Sequence, residues 1–221
     1  MIKENIARIL EEIPSDVEVI AASKSRSVEE IREAISAGIG IVGENYVKEA
    51  EEKFSILGNA VQWHLIGHLQ KNKVRKAVRI FDLIETVDSL ELAGLINAEA
   101  QRLGKTMPIL IEVNSGLEVQ KQGVLPGQVY DLCREIPNYQ NLKLAGLMTM
   151  GPQAAEPEQI RPSFRATREL FDDIRDKLGN SQTFRYLSMG MSDSYKIAIE
   201  EGANIIRLGT ILFGPRNHLE R

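Results

Sequence analysis

Short runs rich in β-branched and aliphatic residues alternate with helically spaced segments from one end of this chain to the other. The runs are VEVIAA (17–22), IGIVG (39–43), VQWHLIG (61–67), DLIETV (82–87), MPILIEVN (107–114), KLAGLMTM (143–150), TFRYLSM (183–189) and NIIRLG (204–209). Strands that alternate with helices pair in parallel. Eight such units within 221 residues predict a (β/α)8 TIM-type barrel, one domain over 1–221, with an extra N-terminal helix, MIKENIARILEEI. The alternative is an open doubly wound sheet. Against it, no GxGxxG follows the first run and no long polar linker divides two lobes. Ser27 and Glu30 have the spacing of a capping box, and SAGIG and KLGN place glycine at helix ends. The longest irregular stretch, GPQAAEPEQIRP (151–162), is a candidate mobile loop.

Aromatic residues are 5% of the chain, so its core must be mostly aliphatic. A formal net charge of -4 argues against nucleic acid or an acidic membrane as the main partner. Cys133 is the one cysteine, which forbids an internal disulfide; within YDLCREI it reads as a small buried residue. The N-terminal helix has no signal-peptide core, and no apolar run approaches the roughly 20 residues that span a bilayer. A soluble cytoplasmic protein is expected.

In a barrel, functional groups come from the C-terminal ends of the strands. Those positions hold Lys24, GENY (43–46), GHLQKNK (67–73), ETVDS (85–89), NSGLEVQKQG (114–123), MTMGP (148–152), SMGMSDS (188–194) and RLGTILFG (207–214). SMGMSDS and RLGT combine glycines with hydroxyls where barrels frequently hold a phosphate. The plainer alternative is that Gly190 and Gly209 permit tight turns while Ser192 or Asp193 caps the next helix. Lys24 is either a lysine that snorkels to solvent or an amine ready to condense with an aldehyde. An aldehyde with a phosphate means a sugar phosphate or pyridoxal 5'-phosphate. Arg207 lies two residues before Gly209 and so faces the same side of its strand. Arginine suits a pyridine nitrogen; otherwise Arg207 forms an ion pair in the barrel mouth, with Glu112 as the candidate partner. His64 and His68 straddle a strand and its turn without a third ligand, so no metal is expected and each takes a structural or supporting role. Trp63 and Tyr46 either pack around a planar ring or serve the core. The basic run KNKVRKAVR (71–79) is a solvated face or a weak anion or partner surface.

AASKSRS, GENYVKEA, WHLIGHLQKNK, EVNSGLEVQKQG, GLMTMGP and LSMGMSDSYKIAIEEGANIIRLGTILFG resemble the YggS/PROSC family of pyridoxal phosphate homeostasis proteins, from Lys24 to Pro215. The resemblance implies a barrel like the N-terminal domain of alanine racemase, with pyridoxal phosphate on Lys24 as a Schiff base. It implies phosphate contacts from Ser188, Gly190, Ser192, Gly209 and Thr210, with Met189 in the same binding segment. Arg207 would face the ring nitrogen and Asn45 would lie beside the cofactor. Lys121 occupies a place where the racemases carry an arginine.

Racemisation needs acid–base groups on both faces of the substrate carbon, and the racemases draw the second from an additional domain that this sequence is not expected to supply. A permanent cation at the ring nitrogen also weakens the ring as an electron sink. The expectation is therefore a monomeric carrier without strong turnover, with apo-enzymes or a regulatory protein as candidate partners. The rivals are a small racemase using Tyr46 or Tyr195 as base, and a sugar-phosphate aldolase.

Overall fold

The computed structural model describes residues 1–118, 122–152, 156–179 and 182–215. In chain order its elements are α1 (Ile2–Glu12), β1 (Glu18–Ala22), α2 (Val28–Ser36), β2 (Ile41–Glu44), α3 (Val47–Leu57), β3 (Gln62–Leu65), α4 (Val74–Ile80), β4 (Leu83–Val87) and α5 (Leu90–Arg102). They continue with β5 (Met107–Glu112), α6 (Pro126–Glu135), β6 (Leu142–Met148), α7 (Arg161–Leu178), β7 (Tyr186–Ser188), α8 (Tyr195–Glu200), β8 (Ile205–Leu208) and α9 (Thr210–Phe213). The strands form a closed parallel barrel in sequential order. Closure is the pairing of β8 with β1, in register Ile20↔Arg207 and Ala21↔Leu208. The expected barrel and its N-terminal helix are both present.

Local chemistry sets the elements. Ser27 accepts the Glu30 N–H, and Glu30 accepts the Ser27 N–H, which completes the capping box of α2. In α1, Ile2, Ile6 and Ile9 are buried at helical spacing. The helix packs on α2 and α9, and Asn5 Nδ2 donates to Leu212 O at 3.2 Å. The main core lies between the strands and the helices and is mostly aliphatic. Inside the barrel are two smaller apolar clusters, Ile20, Ile41, Ile66 and Ile205, and Leu83, Leu110, Ala145 and Met148, with Tyr186 against both.

Several expectations change. Strand β7 begins at Tyr186 rather than 183, because Phe184 turns aside to stack on Phe171 of α7 at 4.9 Å. The stretch 151–162 is not wholly irregular: Pro157–Ile160 is a 3-10 turn that leads into α7 at Arg161. Trp63 belongs to the core. It is fully buried, meets Phe54 edge-on at 5.9 Å and donates its indole N–H to Gly58 O. Cys133 is buried on α6, and burial pushes its thiol up to about 12, which leaves it unreactive. No helix among the described residues is long and apolar enough to cross a membrane.

Candidate functional site

A cavity of about 290 Å³ opens beyond the C-terminal ends of β1, β2 and β8. Lys24, Asn45, Ser192, Arg207, Gly209 and Thr210 line it, together with Ala22, Ile66, Met150, Met191 and Asp193. Six of the nine predicted binding residues therefore meet in one place. Ser188, Met189 and Gly190 do not line it.

Lys24 enters this wall because the sheet ends one residue earlier. The Ser23 N–H still bonds to Gly43 O at 2.9 Å, whereas Lys24 is half-buried in the turn that follows. Asn45 follows β2 directly, and the turn after β3 closes hard against it. A Cβ at Gly67 would lie 2.4 Å from Asn45 O, so only glycine allows that approach.

Beneath the cavity the barrel interior is charged. Arg207, on β8, is buried and donates through Nη1 to Ser188 Oγ at 2.5 Å and through Nη2 to Thr149 O at 2.7 Å. The Ser188 hydroxyl donates to Glu85 Oε2 at 2.7 Å, and the other Glu85 oxygen lies 2.8 Å from His64 Nδ1. The guanidinium also stands 3.9 Å from Glu85. Burial lowers the Arg207 pKa while Glu85 and Glu112 act in the opposite sense. The arginine stays a cation because its ordinary value is so high. Its hydrogen-bonded counter-charge is thus Glu85 through Ser188, not Glu112 as the sequence suggested.

Glu112 stands in the same interior as a separate feature. Its Oε2 is buried without a hydrogen-bond partner. Burial, and then the Asp88 charge, push its carboxyl up to about 7 against the pull of Arg207. His64 takes the supporting role expected of it. His68 is exposed and lies with Tyr46 beside a neighbouring surface cavity. No cluster of three or more His, Cys, Asp or Glu able to hold a metal occurs among the described residues.

The loops after β7 and β8 meet at the cavity edge. Ser192 Oγ accepts the Gly209 N–H at 3.1 Å and the Ile211 N–H at 3.5 Å, so these backbone donors are aimed at an oxygen. The cap of α8 is Ser194, which removes Ser192 and Asp193 from the capping role considered for them. Gly190, at φ +89°, lets this loop pack on α8, since a Cβ there would stand 2.6 Å from Ala198 Cβ. Met189 is fully buried in the core. Lys121 lies outside the described residues. Ile66 and Met150, lining residues not singled out individually from the sequence although Met150 lies in the rim segment MTMGP, each stand two positions beyond an inward-facing residue, His64 and Met148. That period-two spacing is the signal that could have found them.

The family described as alanine racemase, N-terminal domain, matches residues 1–217. A pyridoxal phosphate homeostasis protein of Aquifex aeolicus is 38% identical over 226 residues, 97% of this chain and 98% of that one. This chain belongs to the pyridoxal phosphate homeostasis proteins of the alanine racemase N-terminal domain family. Among solved structures, PipY of Synechococcus elongatus with PLP bound matches this family member at TM-score 0.89 and 33% identity, over 97% of this chain and 100% of PipY. The form of PipY without PLP matches at TM-score 0.91. An alanine racemase of Clostridium difficile matches at TM-score 0.80 and 18% identity over 96% of this chain and 56% of the racemase, a likeness of fold alone.

Proposed function

We propose that this chain binds pyridoxal 5'-phosphate through Lys24 and carries it, as a cytoplasmic monomer, in vitamin B6 and amino-acid/keto-acid homeostasis without strong catalytic turnover. The observation that carries this reading is the convergence of a half-buried primary amine, a buried guanidinium and aimed backbone donors on one cavity of about 290 Å³. When bound, the group would supply an aldehyde, and the Lys24 amine would be the residue that holds it covalently, with loss of one water. The N–H groups of Gly209 and Ile211 and the Thr210 hydroxyl would hold the phosphate, and the bonds of both N–H groups to Ser192 Oγ show that they are aimed at an oxygen. Arg207, fixed by Ser188 and Thr149, would face the ring nitrogen, with Asn45 alongside. A guanidinium held as a cation there disfavours protonation of that nitrogen, which supports storage over carbanion chemistry.

The positions of the tyrosines support the same reading. Tyr195 is buried and its hydroxyl donates to Glu12 at 3.0 Å, while Tyr46 is 64% exposed; neither lines the cavity. The open mouth suits removal of the cofactor by amines or apo-enzymes. The test is the visible absorption of the purified protein after incubation with pyridoxal phosphate, beside Lys24→Ala. A yellow band in the native protein that the variant lacks is expected; a colourless native protein sinks the reading. Negligible exchange of amino-acid α-protons into deuterated solvent, relative to free cofactor, is the matching expectation for a carrier.

A further inference from the structure

Lys24 is held from behind by a buried charge cluster that takes no part in the cavity. Lys53, on α3, is 6% exposed and spends all three ammonium hydrogens within the protein. It donates to Glu44 Oε1 at 2.6 Å, to Glu49 Oε1 at 2.7 Å and to the Ser23 carbonyl at 2.7 Å. The same Glu49 oxygen accepts the Ser25 N–H at 2.5 Å, and Ser23 Oγ donates to Glu44. The Ser23 carbonyl belongs to the peptide bond entering Lys24, and the Ser25 N–H to the peptide bond leaving it. Both peptide groups attached to the Lys24 Cα are thus gripped by one ion-paired set from β2 and α3. The turn they hold is an unusual one, since Ser25 is one of two non-glycine residues with positive φ among those described, at 62°. A backbone outlier of this kind persists only where its surroundings over-determine it.

We propose that Glu44, Lys53 and Glu49 are positioning residues for the Lys24 amine, fixing the turn so that the amine points into the cavity for covalent capture. The inference rests on the reading of Lys24 as the residue that takes the cofactor aldehyde. Lys53 and Glu49 act directly on the two peptide groups. Glu44 acts through Lys53 and the Ser23 hydroxyl. None of the three lines the cavity, so the phosphate and ring contacts should not depend on them.

Two ligands separate positioning from general support: pyridoxal 5'-phosphate, and pyridoxine 5'-phosphate, which has the same ring and phosphate but an alcohol in place of the aldehyde. In Lys53→Met and Glu49→Ala, the rate at which the yellow band forms on adding pyridoxal phosphate should fall on the order of tenfold or more, as expected when a reacting group is misplaced. Affinity for pyridoxine 5'-phosphate should stay at the native value. If both ligands weaken together, or neither changes, the inference is overturned. Glu49 is half-buried, so Glu49→Ala decides the matter should Lys53→Met fail to fold, as judged by circular dichroism. A native protein that never turns yellow, yet binds pyridoxine 5'-phosphate, overturns the capture reading itself and this inference with it.

Discussion

Two buried charge clusters flank the cavity, and they differ in what they hold. The inner one, Arg207–Ser188–Glu85–His64, fixes a side chain that lines the cavity. The outer one, Glu44–Lys53–Glu49, fixes the backbone on either side of Lys24. They also differ in how each would respond to damage. A guanidinium cannot shed its proton at any ordinary pH, so the inner cluster has no way to discharge its cation. The outer cluster can discharge: burial already raises the Glu44 pKa, and without Lys53 that carboxyl would take up a proton. Orienting a permanent cation is thus the more expensive arrangement, and the inner cluster should be the more fragile.

The largest expected effect follows from that asymmetry. Glu85→Ala removes the carboxylate that balances Arg207 and accepts from Ser188, and should destabilise the protein by about 4 kcal/mol, the usual cost of stranding one member of a buried pair. Urea unfolding of the cofactor-free protein measures it. A loss below that of Lys53→Met would break the comparison, because the dischargeable cluster would then be the costlier one to damage.

Next in size is a pH effect at Glu112. Its carboxyl ordinarily titrates at 4.5 and is raised to about 7 in the folded chain. The folded state therefore holds the extra proton between those values, and stability falls as pH rises from about 4.5 to 7. Glu112→Gln mimics the protonated form. It should remove this slope and stabilise the protein at pH 8 by about 3 kcal/mol relative to the native chain. Unfolding curves at several pH values check it, and an unchanged slope would show that Glu112 finds a partner when ionised.

Lys53→Met should cost less than Glu85→Ala, about 2 kcal/mol, because Glu44 can neutralise itself. The loss should grow as pH rises, since each step upward makes protonation of Glu44 harder. A pH-independent loss would mean that Glu44 is not the group that adjusts.

The two clusters were not equally legible from the sequence. Alternating runs gave away the barrel, since strand and helix periods depend on neighbouring residues alone. Lys24, Asn45, Ser192, Arg207, Gly209 and Thr210 were legible as cavity residues because a barrel sends the ends of its strands to one rim. Ser188 was not. Its hydroxyl faces inward to Arg207, and which of the hydroxyls in SMGMSDS does so depends on where β7 ends, which was read one residue too far along. The outer cluster was less legible still. Its bonds join Ser23 and Ser25 to Glu44, Glu49 and Lys53, and charges spaced along a helix look the same whether they face solvent or a turn from the preceding unit.

The smallest expected effect sharpens the comparison most, because it separates a stable turn from a correctly aimed one. Ser27→Ala removes the side-chain acceptor for the Glu30 N–H and should cost about 1 kcal/mol. The cap lies beyond Arg26, whose guanidinium ties the same stretch to the carbonyls of Phe213, Gly214 and Pro215. Losing the cap frays the start of α2 but leaves the grips on Ser23 O and Ser25 N–H in place. Thermal unfolding should therefore register Ser27→Ala while the rate of yellow-band formation holds at the native value. If that rate falls as it does for Glu49→Ala, any loosening of the turn slows capture, and the outer cluster loses its claim to a specific hold on Lys24.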